Sequence, residues 1–369
     1  MTRPRIPFVS LAAGEDAQDV AAAIDRVVRS GWFILGPEVD AFESEFAAAA
    51  GAAHAVGVGT GTDALALILR ALGIGAGDEV ITTPLSAAFT ALAIMMAGAR
   101  PVFADIDASR LTLDPGELAR AVTPRTRAIL PVHLYGQPAD MAGIEQVAVR
   151  HNLAIVEDCC QAHLATAAGR NVGTIGIAGA FSFYPTKNLG ALGDAGAVVT
   201  NDRALADRIR RLRNGGQSQR YVHEEAGVNS RLDEMQAAVL RARLPFLPRW
   251  TARRRLLAAS YRAGLSTGSR AAPAAVTVPP EHDSGHVYHL FAVRSARRAD
   301  LQGRLKSRGI ETLVHYPVPI SLQPALAGSR PADCPRAAAA CKELVSLPLY
   351  PAMTEGDVAD VAAAVCDRR

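Results

Sequence analysis

Short apolar runs alternate with amphipathic segments along the first half of the chain. Apolar side chains recur at three- and four-residue steps over residues 16–29 and 37–50, which predicts two helices. Beyond them, short apolar runs typical of buried strands alternate with stretches of helical spacing. The predicted strands lie at residues 54–58, 80–83, 101–104, 128–133, 153–157, 180–184 and 196–200, and the helices between them begin near residues 63, 87, 115 and 139.

This alternation predicts an α/β fold with a mostly parallel sheet that helices cover on both faces. After residue 201 the pattern becomes mainly helical. The predicted elements there are helices at 203–213, 232–244, 249–263, 300–308 and 356–365, strands at 288–293 and 311–314, a break at Pro245 to Pro248, and an irregular connection at 266–280. We therefore expect a large domain over residues 1–244 and a smaller C-terminal α/β lobe over residues 245–369, which suits a chain of 369 residues.

Composition and charge limit the kinds of partner that the protein can have. The chain is 49% hydrophobic and 20% charged, as expected of a globular protein, and its net charge of +3 is small. The arginine-rich stretch at 208–213 lies on a predicted helix with acidic neighbours, so we expect no nucleic-acid partner. Five cysteines without repeated spacing fit a reducing compartment. The uncharged stretch at 81–99 contains Pro84 and several hydroxyl side chains, and the N-terminus has no signal-peptide pattern, so we expect a cytoplasmic protein without a membrane partner.

One lysine stands out. Lys187 follows the predicted strand at 180–184 on a glycine-rich turn, before the strand at 196–200, and no carboxylate lies beside it in sequence. Burial between two strands would lower the pKa of its ammonium and free a nucleophilic amine, as a Schiff-base lysine requires. A solvated lysine in a surface loop explains the same local pattern, and for a single lysine it is the simpler interpretation.

The turn at 59–63 is a candidate phosphate site. It carries two glycines and two threonines between a predicted strand and a predicted helix, where backbone N–H groups meet the positive end of the helix. It lacks the nucleotide P-loop motif, and Thr62 stands where a dinucleotide-binding motif needs its last glycine. An ordinary strand–helix connection explains this turn equally well when it is taken alone.

Three polar residues complete a possible set around Lys187. Asp158 ends a buried strand and needs a cationic or hydrogen-bonding partner, which a protonated pyridine nitrogen would supply. Gln161 could reach a ring hydroxyl, and Ser182 could share a phosphate with Thr62. Separately, Asp158 could be a helix cap or an ion-pair member, and Ser182 a satisfied strand residue. Together with Lys187 they describe a site for pyridoxal 5'-phosphate (PLP).

The chain resembles the sugar aminotransferases of the DegT/DnrJ/EryC1/StrS family along nearly its whole length. The motifs that carry the resemblance are GPEV at 36–39, GTDAL at 61–65, AGARPVF at 97–103, VHLYGQPADM at 132–141, ED at 157–158, QAH at 161–163, SFYPTKNLG at 182–190, GVNSRLDEMQAA at 227–238 and HY at 315–316. The resemblance implies the fold-type I (aspartate aminotransferase-like) PLP fold, a large mostly parallel sheet domain with a smaller C-terminal lobe.

The resemblance also implies residue roles. Lys187 would bind the cofactor covalently and shuttle a proton, and Asp158 would pair with the pyridine nitrogen. The cofactor's remaining contacts would be Gln161 at the ring oxygen, Gly61, Thr62 and Ser182 at the phosphate, and Asn229 at the phosphate in the neighbouring subunit. The active sites of a homodimer would therefore be shared, and no metal is expected.

Substrate contacts are implied less directly. Arg231, His315 and Tyr316 would lie near the substrate entrance, although Arg231 could equally cap the helix that follows it. Family members often carry an aromatic side chain that stacks on the pyridine ring before the predicted helix at 87–97. Here that position is Ala87, so either Phe89 covers the ring or a smaller group does.

By this resemblance the function is ping-pong transamination from L-glutamate to a keto sugar, most simply a nucleotide-linked keto-deoxysugar in amino-sugar biosynthesis. A cyclitol (keto-inositol) aminotransferase shares these motifs. A PLP-dependent sugar dehydrase would carry histidine in place of Lys187, and a non-catalytic regulatory homologue would not need Asp158, Ser182 and Lys187 together. A nicotinamide-dependent oxidoreductase would leave Lys187 without a role.

Overall fold

A seven-stranded sheet forms the centre of the computed structural model, which describes residues 4–12, 14–267, 276–327 and 333–367. The strands are β1 (His54–Val58), β2 (Glu79–Thr82), β3 (Arg100–Phe103), β4 (Thr126–Leu130), β5 (Ala154–Asp158), β6 (Ala178–Ser182) and β7 (Gly196–Thr200). Their order across the sheet is β1-β7-β6-β5-β4-β2-β3. Strands β2 to β6 are parallel, whereas β7 runs antiparallel to both of its neighbours. The predicted mostly parallel sheet is confirmed.

Helices cover both faces of this sheet. The helices are α1 (Ala17–Ser30), α2 (Pro37–Ala50), α3 (Gly61–Ala71), α4 (Phe89–Met96), α5 (Pro115–Ala121), α6 (Met141–His151), α7 (Arg203–Arg213), α8 (Glu234–Arg243), α9 (Leu247–Thr267), α10 (Arg298–Ser307), α11 (Pro335–Glu343) and α12 (Glu355–Cys366). Successive strand residues enter opposite cores, because side chains alternate along a strand: Val80 packs in one core and Ile81 in the other. No helix among the described residues is both long and apolar enough to cross a membrane.

The start of α2 shows how distant segments are joined. Gly36 precedes Pro37 and offers no side-chain cap. The buried carboxylate of Glu234, at the start of α8, instead accepts hydrogen bonds from the backbone N–H groups of Gly36, Glu38 and Val39 at 2.8–2.9 Å. A negative charge at this helix end also complements the helix dipole. The contact holds α8 against α2.

The C-terminal region has its own core. Strands β8 (Phe291–Arg294) and β9 (Leu344–Leu347) pair antiparallel, and side chains of α9, α10 and α12 pack around them. Ile6, from the N-terminal segment, is buried in the same core, and its backbone pairs with Ile310. The division of the chain at residues 244 and 245 stays a prediction.

Two expectations for this region need correction, and two of its elements were not predicted. The predicted strand at 311–314 is wrong, because only Leu313 forms an isolated bridge, to Ser346. Pro248 lies in the first turn of α9, where proline needs no intrahelical N–H bond, so this helix begins earlier than predicted. Helix α11 and strand β9 have no counterpart in the predictions. Of the predicted connection at 266–280, residues 268–275 lie outside the described residues.

Candidate active site

Asp158 is the last residue of β5 and is buried. Its Oδ2 accepts a hydrogen bond from the Thr90 hydroxyl at 2.8 Å, and its Oδ1 accepts one from the Cys160 backbone N–H at 3.1 Å. Across the described residues, its carboxylate takes part in no salt bridge. A carboxylate has about four acceptor positions, so these two bonds leave capacity for a cationic partner.

Lys187 lies on the turn that follows β6, and its backbone N–H donates to the Tyr184 carbonyl at 2.8 Å. Its side chain is partly buried. Burial lowers the pKa of Lys187, and the nearby Cys160 and Asp158 groups oppose that shift. The direction favours the neutral, nucleophilic amine that the sequence pattern predicts.

Three histidines close to Lys187 are neutral. Burial is the main cause that lowers the pKa of His163 to about 3 and of His315 to about 4, and it lowers the pKa of His289 well below its usual value. The charge of Lys187 lowers all three further. All three imidazoles lie close enough to Lys187 for its charge to affect their pKa values. Because they are neutral, they add no positive charge around its amine.

The turn between β1 and α3 lies against the end of β6. The Thr60 hydroxyl accepts the Asp63 N–H at 3.0 Å, which caps α3. For the N–H groups of Gly61 and Thr62, the described part of the chain supplies no hydrogen-bond acceptor. A Cβ at Gly61 would come within 2.8 Å of the Ser182 Cβ. The fold thus brings together the predicted phosphate-binding residues Gly61, Thr62 and Ser182.

Gln161 links the predicted cofactor and substrate residues. Its Oε1 accepts the Tyr135 backbone N–H at 2.8 Å, and its Nε2 donates to the Tyr316 hydroxyl at 3.1 Å. Burial raises the pKa of Tyr316 to about 12, so the phenol stays protonated near neutral pH. The neighbouring His315 is held by a 2.9 Å contact between its Nδ1 and the Ser346 hydroxyl.

Three other predicted residues form no hydrogen bond to this group within the described part of the chain. Asn229 is exposed, and its backbone bridges to Asn214. Arg231 donates to the Asn214 side chain at 3.1 Å. Phe89, in the first turn of α4, is 62% exposed. Their assignment to the partner's cofactor, the substrate and the ring face stays a prediction.

Sequence reasoning missed Thr90 and Cys160, both hydrogen-bonded to Asp158. Cys160 also lies against Gly61, where a Cβ would approach its Sγ to 2.7 Å. Thr90 carried a usable signal, since it is a hydroxyl within the first turn of a helix that follows a strand end. Tyr135 lies within a motif quoted above, but its backbone bond to Gln161 depends on a turn that the motif does not reveal.

A cavity of about 410 Å³ opens beside Lys187. The N-terminal segment, the turn that carries Lys187, α9 and the chain after β9 surround it. Its charged lining side chains are Glu15, Asp16, Lys187, Arg243 and Arg254. The cavity is large enough for a small substrate group.

The sheet and the residues at the ends of its strands define a class of protein. A mostly parallel sheet that presents a lysine, a carboxylate and a helix start at the ends of its strands is the arrangement of fold-type I PLP-dependent transferases. The model of the DegT/DnrJ/EryC1/StrS aminotransferase family matches residues 15–366, and the chain belongs to this family.

Relatives agree with that assignment. The chain is 50% identical over 352 residues to the dTDP-3-amino-3,4,6-trideoxy-alpha-D-glucose transaminase of Streptomyces venezuelae, covering 94% of this chain and 92% of the relative. The crystal structure of S. venezuelae DesV in complex with a ketimine intermediate is 49% identical, with a TM-score of 0.94 over 99% of this chain and 100% of the other. NtdA of Bacillus subtilis, solved with bound cofactor PMP, is 29% identical, with a TM-score of 0.91 over 99% of this chain and 86% of the other.

Proposed function

We propose that this protein transfers an amino group from L-glutamate to the 3-keto group of a nucleotide-linked deoxysugar, with PLP as its cofactor. One observation carries the proposal: the turn after β6 carries the partly buried Lys187, and the adjacent strand β5 ends in the buried carboxylate of Asp158. The S. venezuelae relative named for a dTDP-linked 3-amino sugar supports the choice of acceptor and of carbon.

The residues fit PLP. A Cβ at Gly61 would approach the Cys160 Sγ and the Ser182 Cβ to 2.7–2.8 Å, so glycine lets this turn lie close against the end of β6. The N–H groups of Gly61 and Thr62 at the start of α3 have no acceptor among the described residues, and they suit a phosphate. Gly61, Thr62 and Ser182 would therefore hold the phosphate, and Lys187 would hold the aldehyde carbon.

When bound, PLP supplies an electron sink for the carbanion that forms at the amino-acid carbon. Asp158 would pair with the pyridine nitrogen and keep it protonated, which would strengthen that sink. The Lys187 amine, neutral in part because it is desolvated, would serve as the base that takes the proton from the donor carbon and as the acid that gives it back. The Gln161 amide holds Tyr316 by a hydrogen bond, and it would donate a second one to the ring oxygen of the cofactor.

We also propose a homodimer with shared sites. Asn229 is exposed on the surface of one subunit, so its amide is available to a neighbour. Exposed aromatic side chains, Trp32 at 56% and Phe33 at 52%, offer apolar surface of the kind that subunit contacts bury. Sedimentation analysis of the cofactor-loaded protein would test this assembly.

Two measurements test the function. PLP added to the purified protein should give the visible absorbance band of the lysine-bound cofactor, and L-glutamate should bleach it. A panel of dTDP-, UDP- and GDP-linked 3-keto and 4-keto sugars, together with a keto-inositol, should then yield amine only from 3-keto nucleotide sugars. Absence of the band in protein with Lys187 intact would refute the PLP proposal. Amine formed only from a 4-keto sugar or a keto-inositol would refute the acceptor.

A further inference from the structure

Arg254 is an unusual charge for a protein interior. It lies on α9, its side chain is only 4% exposed, and burial lowers its pKa to about 10, so it remains a cation at neutral pH. In the described structure it forms no salt bridge with a carboxylate. A buried charge without a counter-charge is strongly disfavoured unless other groups compensate it.

The protein satisfies this guanidinium only in part. Within the described structure, every hydrogen bond of the Arg254 guanidinium comes from Nη1, which donates to the carbonyls of Tyr288, His289 and Leu349 at 2.9–3.3 Å. Nε is buried without a partner, and among the described residues none accepts from Nη2. Bonds to backbone carbonyls alone would suit an arginine that only links segments of the fold. Here, however, they leave the Nε and Nη2 atoms of Arg254 without an acceptor among the described residues.

Arg254 lines the cavity beside Lys187, and the remaining charged side chains there, Glu15, Asp16 and Arg243, are paired. Asp16 accepts from Arg243 at 2.7 Å, and Glu15 lies 2.6 Å from Arg249. Lys187 and Arg254 are therefore the cations of the cavity that lack a carboxylate partner among the described residues. If the cofactor engages Lys187, the charge of Arg254 remains.

His289 connects Arg254 to Asn188, the residue next to Lys187. Its carbonyl accepts from Arg254, and its Nδ1 contacts the Asn188 Oδ1 at 3.2 Å. Asn188 directly follows Lys187 in the chain. Arg254 is thus linked to the lysine turn through one residue, and its charge helps to lower the pKa of both His163 and His289.

We infer that Arg254 binds an oxyanion of a substrate in this cavity. The chemistry fits the carboxylate of an amino-acid donor or the phosphates of a nucleotide-linked acceptor, because both present the oxygen pairs that a guanidinium recognises. That the anion belongs to a substrate rests on the proposed transamination. The oxyanion site itself rests on the uncompensated charge and the cavity.

Calorimetric binding to the cofactor-loaded protein tests the site with unreactive probes: glutarate for the donor, its neutral diamide as a charge control, and dTDP for the acceptor. Arg254→Met should weaken binding of glutarate or dTDP about tenfold or more, as for loss of a charged hydrogen bond. The diamide carries no charge, so it should bind appreciably neither to the wild-type protein nor to Arg254→Met. The probe that is lost identifies the source of the oxyanion.

Arg255→Met is the matched control. Arg255 lies on the same helix and donates to the His286 carbonyl at 2.9 Å, so it ties down the same segment without lining the cavity. Anion binding unchanged in folded Arg254→Met, or weakened equally in Arg255→Met, would overturn the inference. If Arg254→Met does not fold, Arg254→Gln decides: it keeps a polar side chain but loses the charge, and anion binding equal to that of the wild type would overturn the site.

The outcome is separable from the fate of the proposed function. A protein that binds glutarate through Arg254 but forms no amine from any keto sugar would disprove the transamination and keep the anion site. An active transaminase with unchanged binding in folded Arg254→Met would keep the function and disprove the site.

Discussion

The backbone N–H of Tyr135 fixes the side-chain amide of Gln161 in one orientation. The 2.8 Å bond from Tyr135 N to Gln161 Oε1 requires the oxygen on that side, so the NH₂ group faces Tyr316. One amide hydrogen bonds Tyr316, and the second remains for a ligand oxygen. Tyr135 holds the left-handed conformation, with φ of 59°, that places its N–H there.

Gln161→Glu tests that orientation. The new carboxylate can still accept from Tyr135, but it cannot donate to an anionic ring oxygen and would repel it. We expect the dissociation constant of PLP to rise about tenfold or more, with the fold retained. Equilibrium dialysis of PLP measures the effect. Gln236→Glu is the control, because Gln236 likewise accepts a backbone N–H, from Leu192 at 2.9 Å. Equal PLP affinity in both variants would contradict the assigned role.

Gly61→Ala tests the phosphate seat. The added methyl would stand 2.7 Å from the Cys160 Sγ and 2.8 Å from the Ser182 Cβ, so α3 must shift away from β6. Overpacking of this kind costs about 1–3 kcal/mol, and we expect PLP affinity to fall at least tenfold. Gly303→Ala serves as the control, because nothing lies within 4 Å of the added Cβ on α10. Unchanged PLP affinity in Gly61→Ala would argue against phosphate binding at this turn.

The reactivity of the Lys187 amine should depend on pH in a defined direction. Burial disfavours its ammonium, so its pKa lies below the ordinary value of 10.5 and the amine becomes reactive at lower pH. The chain has only three lysines, Lys187, Lys306 and Lys342, so acetylation of the cofactor-free protein can be followed peptide by peptide in a mass spectrometer. We expect a labelling midpoint below pH 10.5 for Lys187.

Asp158→Asn should move this midpoint further down, because the Asp158 charge raises the pKa of Lys187. A wild-type midpoint at or above pH 10.5, or an upward shift in Asp158→Asn, would contradict the sign.

Asp158→Asn also tests the electron sink. The amide is nearly isosteric but carries no charge, so the pyridine nitrogen would lose its counter-ion. We expect the rate of bleaching by L-glutamate to fall roughly a hundredfold or more, as for loss of other preorganised charge partners. Thr90→Val removes only the 2.8 Å hydrogen bond to Asp158 and should have a much smaller effect. Stopped-flow absorbance gives both rates, and a near-wild-type rate in fully loaded Asp158→Asn would rule out the role.

Apolar patterns predicted the elements better than their ends. Helix Pro37–Ala50 and strand Gly196–Thr200 have the predicted bounds. Strand β6 ends at Ser182, two residues before the predicted end, although Phe183 is fully buried. An apolar run reports burial, whereas a strand also needs backbone pairing, and the two end at different residues here.

The site was predictable where it follows strands, and less so where distant segments meet. Asp158 and Lys187 follow apolar runs that mark strand ends. Arg254 lies in a basic helix whose pattern is typical of a solvated face, and only packing against the carbonyls of Tyr288 and Leu349 buries it. No local pattern distinguishes it from Arg253 or Arg255.

The contact between Gly61 and Ser182 has one more consequence. It clamps the first turn of α3 to the end of β6, and the lysine turn begins directly after that strand. The distance between the proposed phosphate-binding turn at Gly61 and the Lys187 amine is therefore fixed by the fold. Pyridoxal without its phosphate would engage only one end of that span, so we expect the protein to discriminate among vitamin B6 forms by length as well as by charge.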